Sequence, residues 1–323
     1  MEKIKLGILG IGNIGSVHTK NILGGNCPRV ELYAICDLKE EKTAWVKEEC
    51  PTVKVFKDAE EMMDSGIDAL LICVPHYDHP KYAIMSMKKG LHTLVEKPAG
   101  VYTKHVLEMN KVADECNVKF ALMMNQRTNC IYRKMREIVK SGRLGEIKRT
   151  SLIITDWYRP QAYHDSSAWR SSWEQEGGGT LINQNPHQLD LWQWMFGMPD
   201  QITAFASFGK YYDIEVEDDV TAFFQYSNGT TGTYITSTGE APGTNRLEIA
   251  CDMGRVIVEN NKITFTKNEI SEREFNKTND KPFGKIANET FEVPVEGTFE
   301  NHPGIFRSVV NHILTGSELL APG

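Results

Sequence analysis

Ile4-Lys5-Leu6-Gly7-Ile8-Leu9-Gly10-Ile11-Gly12-Asn13-Ile14-Gly15 follows the first three residues of the chain. An apolar run leads into three glycines with the spacing G-x-G-x-x-G, and a helix-compatible stretch from Ser16 to Leu23 comes next. Each glycine has a physical task. Gly10 permits a tight strand-to-helix turn, Gly12 lets a pyrophosphate approach the backbone, and Gly15 allows close helix–strand packing. Asn13 and Ile14 complete the loop, and the free N–H groups of the helix start face the phosphates. The spacing alone is a weak signal. A strand before it, a helix after it and a carboxylate at the right distance make it a dinucleotide-binding expectation.

That carboxylate is Asp37, 22 residues after Gly15, at the end of a second strand-like run, Val30–Cys36. About 20 residues is the expected separation for a carboxylate on the adenine ribose. It accepts hydrogen bonds from the ribose hydroxyls and repels a 2′-phosphate, which favours NAD. Lys39 nearby is a cation that could serve a 2′-phosphate, so NADP stays an alternative. The plainer alternative makes Asp37 an ordinary turn residue.

Composition narrows the classes. The chain has 323 residues, 41% apolar and 24% charged, enough for two domains of a soluble globular kind. The net charge of −7 comes without a basic cluster, which argues against nucleic acid. No apolar run reaches 18 residues, so no membrane span is expected. The apolar strand begins too close to Met1 for a signal peptide. Seven scattered cysteines without a C-x-x-C pair suggest reduced thiols and a cytoplasmic protein.

Strand-like runs at 4–9, 30–36, 53–56, 68–74, 91–95 and 118–123 alternate with helix-compatible stretches at 14–23, 40–49, 58–64, 79–88 and 103–116. Such alternation predicts an α/β domain with a doubly wound parallel sheet over residues 1–123. After residue 124 the pattern changes. A helical stretch at 128–141 precedes β-rich runs at 201–208, 219–226, 230–238, 246–251, 254–259 and 262–266. Ser227-Asn228-Gly229 and Asn260-Asn261 mark hairpin turns. Residues 124–323 are therefore expected to form an α+β domain with an open, predominantly antiparallel sheet. Residues 267–290 read as a polar loop. A short helix is expected near 303–314, and the abrupt stop after Pro322-Gly323 leaves open whether further chain follows.

Three constellations could carry chemistry. Glu96-Lys97-Pro98 ends the fifth strand, where ligands bind in such sheets, so Glu96 and Lys97 are expected at the cofactor. A lysine there can hydrogen-bond a substrate hydroxyl and share in proton transfer. Its plain alternative is a surface lysine. At 177–197, Pro186 suits the first turn of a helix running to Phe196, with Asn185 as N-cap and Gly197 as stop. His187 would stand exposed in the first turn with Asp190 on its face, and Leu189, Trp192 and Phe196 would form the buried side. A helix starting at Thr180 with a kink would instead put Asn183 and His187 on one face. His is the usual base near neutral pH, and a helix start disfavours its charged form. The plain alternative is a surface histidine. The third constellation is Trp157-Tyr158-Arg159 with Trp169-Arg170 and Trp173, where aromatic faces beside arginine donors suit a polyhydroxylated ring or simply pack on one another. Pro75, His76 and His79, at the end of the fourth strand, are expected to line the cofactor. No consistent ligand set supports a metal.

Together these residues resemble the glucose–fructose oxidoreductase, inositol dehydrogenase and rhizopine-catabolism (Gfo/Idh/MocA) family. The match rests on Gly10-x-Gly12-x-x-Gly15-x-x-His18, Glu96-Lys97-Pro98, Asn125-x-Arg127 followed by Gly142-x-x-Gly145, and Gly178-Gly179 leading to His187 and Asp190. The resemblance implies a Rossmann domain joined to a largely antiparallel sheet domain whose open face serves a homo-oligomer, a dimer or tetramer. It implies an NAD(P)-dependent oxidoreductase that moves a hydride between the cofactor and a secondary hydroxyl or ketone of a sugar, glycoside or cyclitol. It makes Lys97 and His187 catalytic, with His187 the proton acceptor. Asn183, which stands where the family commonly has Asp, helps hold the oxygen but cannot raise the basicity of the histidine as a carboxylate would. Asn125, Arg127, Tyr158, Trp169 and Arg170 join Asn183 and His187 as expected substrate residues. The alternatives are glycoside hydrolysis through transient oxidation and a non-catalytic nucleotide- and sugar-binding sensor.

Overall fold

The computed structural model describes residues 2–323, which divide into two compact units. The first begins β1 (Ile4–Leu9), α1 (Asn13–Leu23), β2 (Val30–Cys36), α2 (Glu40–Glu49), β3 (Lys54–Phe56) and α3 (Ala59–Met63). It continues with β4 (Ala69–Ile72), α4 (His79–Lys88), β5 (His92–Val95), α5 (Thr103–Cys116) and β6 (Phe120–Leu122). The strands pair in parallel in the order β3-β2-β1-β4-β5-β6. Leu70, Leu71 and Ile72 are 0% exposed. Strands covered on both faces read as continuous apolar runs, which is why β4 was legible. Strand order reverses between β1 and β4, and the crevice at the carboxyl ends beside that reversal is where such sheets bind ligands. The glycine loop follows β1, Pro75 follows β4 and Glu96 follows β5.

The second unit holds α6 (Cys130–Lys140), β7 (Ile147–Ile154), α7 (Gln161–His164), α8 (Pro186–Phe196), β8 (Gln201–Phe208), β9 (Glu217–Gln225) and β10 (Thr231–Ser237). It continues through β11 (Asn245–Cys251), β12 (Gly254–Glu259), β13 (Lys262–Asn268), α9 (Glu272–Thr278) and β14 (Asn288–Glu292). The sheet order is β14-β13-β12-β11-β7-β10-β9-β8, antiparallel throughout except for β10 beside β7. Ile131, Tyr132 and Met135 of α6 and Leu191, Trp192 and Met195 of α8 cover one face, packing with Leu152, Phe224, Tyr234 and Leu247. The expected strands and hairpins are present. The central strand β7 was not anticipated, because Lys148, Arg149 and Ser151 alternate with its core residues. The expected polar loop at 267–290 instead contains α9 and the start of β14. Every residue of β14 is exposed, so no apolar alternation announces it.

The chain's last helix, α10 (Asn301–Thr315), belongs to the first unit, and the expected division at residue 123 is corrected accordingly. The first unit comprises Met1–Thr128, Gln175–Gly177 and Glu300–Gly323. Ile305, Phe306, Val309 and Val310 of α10 pack into the core formed by Ile4, Leu6, Val30, Ala69 and Leu94. Burying each such side chain contributes roughly 1.5–3 kcal/mol, enough to draw the segment back. The final residues then extend the sheet at β6: Leu122 N donates to Ala321 O (3.1 Å) and Gly323 N to Phe120 O (3.0 Å).

Candidate functional site

In the first unit the glycine loop has the geometry its spacing requires. Gly10 has φ +92°, and a Cβ on Gly15 would lie 2.0 Å from Gly10 O, so neither tolerates a side chain. A Cβ on Gly12 would meet nothing within 4 Å. No side chain caps α1 and no acidic residue stands in its first turn. The helix start therefore presents open space and backbone donors, a fit for a pyrophosphate. Asp37 Oδ2 accepts from Ile11 N (2.8 Å) and Oδ1 from Lys39 N (2.9 Å), which fixes the carboxylate beside the loop. Each oxygen keeps a lone pair for a ribose hydroxyl.

A second feature links this loop to Lys97. His18, on α1, is 0% exposed and its Nε2 lies 2.6 Å from Glu96 Oε1. Glu96 Oε2 accepts from Lys97 N at 3.1 Å. Burial alone would raise the Glu96 pKa; the His18 hydrogen bond and the charges of His18, Lys97 and His302 outweigh it and bring the carboxyl down to about 2. His302, from α10, meets His18 edge-on with centroids 4.8 Å apart. Burial, then the charges of His18 and Lys97, lower the His302 pKa to about 4. Its Nε2 lies 3.2 Å from Asn125 Nδ2. His18, Glu96 and His302 gather three ligand-type atoms within 4.8 Å. The direct His18–Glu96 contact makes this a hydrogen-bonded network holding the turn that carries half-buried Lys97.

In the second unit a single π-helical turn, Thr180–Gln184, runs directly into α8. Glu217 anchors it, with Oε2 accepting from Gly179 N and Oε1 from Leu181 N, both at 2.9 Å. Gly179 has no room for a Cβ, which would lie 2.1 Å from Glu217 O. Such turns recur at functional sites because they re-aim side chains. Tyr163 Oη collects three donors: Gln184 Nε2 (2.6 Å), Arg170 Nη1 (2.6 Å) and Asn183 Nδ2 (3.4 Å). His187 packs edge-on against Trp157, centroids 6.4 Å apart.

The helix bounds expected for Pro186–Phe196 hold, but three details differ. His187 is 8% exposed rather than on the surface, because Trp157 covers it. The buried side carries Leu191 and Met195 with Trp192, while Leu189 and Phe196 are half-buried. Asn185 makes no cap; its Oδ1 accepts from Tyr234 Oη at 3.1 Å. His79 is 1% exposed and each ring nitrogen faces a carbonyl oxygen, Pro98 O at 2.7 Å and Val74 O at 2.8 Å, so it props the turn rather than lining a cleft. His76 Nδ1 lies 2.9 Å from Glu176 O. Asn125 and Arg127 belong to the first unit and hold the C-terminal segment: Asn125 Nδ2 donates to Asn301 Oδ1 (2.6 Å) and Arg127 Nη1 to Leu320 O (2.9 Å). Tyr158 is exposed, while Trp169 and Arg170 are half-buried, with the Arg170 guanidinium 4.6 Å from the Trp169 ring. Sequence reading missed Tyr163, Gln184, Glu217 and His302. No motif contains them; only the fold brings them to the loop, turn and helix they brace.

Comparison with known proteins agrees with the fold and the glycine loop. Residues 4–124 match the model of an oxidoreductase family with an NAD-binding Rossmann fold. Residues 132–257 match the GFO/IDH/MocA C-terminal domain. The chain belongs to the Gfo/Idh/MocA oxidoreductase family, with an NAD-binding first unit. Myo-inositol 2-dehydrogenase of Thermotoga maritima is 25% identical over 266 residues, 80% of this chain and 75% of that one. The scyllo-inositol 2-dehydrogenase (NADP+) IolW of Bacillus subtilis is 28% identical over 207 residues, 63% of this chain and 55% of that one. The crystal structure of the WlbA dehydrogenase from Bordetella pertussis, in complex with NADH and UDP-GlcNAcA, is similar with a TM-score of 0.82 and 25% identity. The match covers 99% of this chain and 91% of that one.

Proposed function

We propose that the protein oxidises a secondary hydroxyl of a sugar, glycoside or cyclitol, or reduces the corresponding ketone. The observation that supports this most is the His18–Glu96 pair, which ties the helix of the glycine loop to the turn bearing Lys97. A nucleotide-binding module alone has no need of a buried charge behind a lysine. Gly10, Gly12, Asn13, Ile14, Gly15 and Asp37 would hold NAD, which when bound accepts or supplies the hydride. Pro75, beside His76 at the end of β4, and Glu96 with Lys97 at the end of β5 complete that group. His187 takes the hydroxyl proton, and Lys97 and Asn183 donate hydrogen bonds to the substrate oxygen. Asn183 is an amide, so it stabilises developing negative charge on oxygen without competing for the proton. Tyr158 and the Trp169-Arg170 pair serve the ring. That the chain's curated relatives include three inositol dehydrogenases supports the polyol class.

A screen at 340 nm with NAD and NADP against cyclitols, free sugars and glycosides should show turnover for at least one polyol, faster with NAD. Asp37→Ala should reduce the NAD-over-NADP ratio of kcat/KM about tenfold, because a repulsive charge is removed. Absorbance that stays flat across the panel would defeat the assignment and leave the sensor as the better reading. Release of an aglycone with no net NADH would favour the hydrolase.

Four large exposed hydrophobic residues on the edge strand β8 and its neighbour β9 support a homo-oligomer, dimer or tetramer. Ile202, Phe205 and Phe208 on β8 and Phe223 on β9 are 56%, 77%, 55% and 41% exposed. Sedimentation should give a species of at least twice the 36.5 kDa chain mass, and Phe205→Lys should shift it towards monomer. A monomer at all concentrations would contradict this. All seven cysteines are free thiols, and burial raises Cys27 to about 11 and Cys36 to about 12. Such inert thiols suit the cytoplasm. Among the described residues no helix is long and apolar enough to cross a membrane.

A further inference from the structure

We propose that the surface around Tyr163 binds an anionic group, a carboxylate or phosphate carried by the substrate. This rests on the sugar-oxidoreductase reading and narrows it to acidic substrates. Two guanidinium groups lie against the Tyr163 ring: Arg159 with its Cζ 5.3 Å from the centroid, and Arg170 at 4.5 Å. Both side chains are half-buried. Arg170 also lies 4.6 Å from the Trp169 ring. Its one hydrogen bond among the described residues runs from Nη1 to Tyr163 Oη (2.6 Å). Arg159 donates from Nη1 to its neighbour's carbonyl, Tyr158 O (3.0 Å). Neither arginine forms an ion pair with a carboxylate among the described residues, and Arg170 Nε is buried with no acceptor.

Two neighbouring cations with no carboxylate in direct ion-pair contact are unfavourable for the free protein, since half-burial weakens the solvent screening each would otherwise have. The carboxylates of this region act on them only at longer range, because their oxygens accept from neutral N–H donors instead. Asp218 takes Lys210 N and Tyr211 N, Glu217 takes Gly179 N and Leu181 N, Glu215 takes Trp173 N, and Asp165 takes the Gln161 side chain. Burial lowers the pKa of His164, beside Tyr163, which disfavours a further positive charge here. Planar guanidinium groups held against aromatic rings are pre-organised donors for carboxylate or phosphate oxygens. The same Tyr163 hydroxyl meets Asn183 Nδ2 at 3.4 Å, so the cations adjoin a residue assigned to the substrate oxygen.

The test uses the full chain with saturating NAD. Calorimetric binding of D-glucuronate, its neutral amide D-glucuronamide, D-glucose and D-glucose 6-phosphate would be compared, with thermal shifts in inorganic phosphate and in acetate against chloride at equal ionic strength. The acid or the phosphate should bind at least about tenfold more tightly than the neutral forms, and the better of the two identifies which anion the site takes. Arg170→Gln should abolish the preference, Arg170→Lys should keep part of it, and Arg159→Gln should reduce it. Absence of any anion preference in both binding and thermal shift would overturn the proposal, as would a preference that survives both glutamine variants. Rapid turnover of neutral sugars with no anion preference would remove this inference and leave the oxidoreductase reading standing. Arginine-dependent anion binding with no absorbance change at 340 nm would do the reverse.

Discussion

Lys97→Ala is expected to lower kcat by about 10²- to 10⁴-fold, and His187→Ala by a similar factor, while NAD still binds, somewhat more weakly in the Lys97 variant. The split follows from where each residue stands. The pyrophosphate cradle is backbone from Gly10 to Gly15, and neither side chain is part of it. Lys97 sits one residue beyond a buried carboxylate that accepts from its own backbone N–H, so the variant keeps the turn and loses only the ammonium group. His187 follows a π-helical turn pinned by Glu217, and removing the imidazole leaves that anchor intact. On the proposed roles, in which one hydroxyl proton and its oxygen are served by both groups, the double variant should fall well short of the product of the two losses. Steady-state rates with cofactor titrations check this. Near-normal kcat in both single variants would show the roles to be misassigned.

Glu96→Ala should destabilise the protein by about 1–3 kcal/mol or more, the usual effect of leaving a buried polar group without its hydrogen-bond partner. His18, 0% exposed, would keep its polar ring with no acceptor for Nε2. The pH dependence carries more information. In the folded protein Glu96 titrates near 2, below its ordinary 4.5. A carboxyl with a depressed folded pKa contributes stability that is fully present above about 4.5 and lost as pH falls towards 2. A shift of that size corresponds to roughly 3 kcal/mol. His302 is held near 4 against an ordinary 6.5. The unfolded chain therefore takes up its proton first, and stability already declines as pH falls from about 6.5 to 4. Urea midpoints should thus drop in two stages on acidification. Glu96→Gln, nearly isosteric, should start lower at pH 7 and show a flatter decline below pH 4.5. Parallel pH profiles for the two proteins would contradict the assignment of acid lability to this pair.

The first unit was legible because its strands are apolar on both faces and its loop glycines leave no alternative backbone. Leu70-Leu71-Ile72 and Gly10-x-Gly12-x-x-Gly15 each specify their own local structure. The second unit was less so. β7 buries only Thr150, Leu152 and Ile154 and opens with Lys148 and Arg149, and every residue of β14 is exposed. The site divides in the same way. Lys97, Asn183 and His187 lie in motifs readable by spacing, and the α8 bounds followed from Pro186 and Gly197. What supports them did not. His302 reaches His18 only because α10 folds back onto the first unit, and Tyr163 meets Asn183, Gln184 and Arg170 only through tertiary packing. Asn125 and Arg127 show the converse. The family resemblance made them substrate residues, and nothing in their motif indicated that their side chains also secure the C-terminal residues.

Hydride transfer from a substrate carbinol carbon is the central claim, and isotope tracing tests it most directly. The fastest polyol of the 340 nm screen, deuterated at the oxidised carbon, would be incubated with NAD and the protein, and the recovered NADH examined by mass spectrometry. One deuterium per NADH, with turnover slowed relative to the protiated substrate and abolished in His187→Ala, is the predicted result. NADH without deuterium, or deuterium retained in a hydrolysed product with no net NADH, would contradict it.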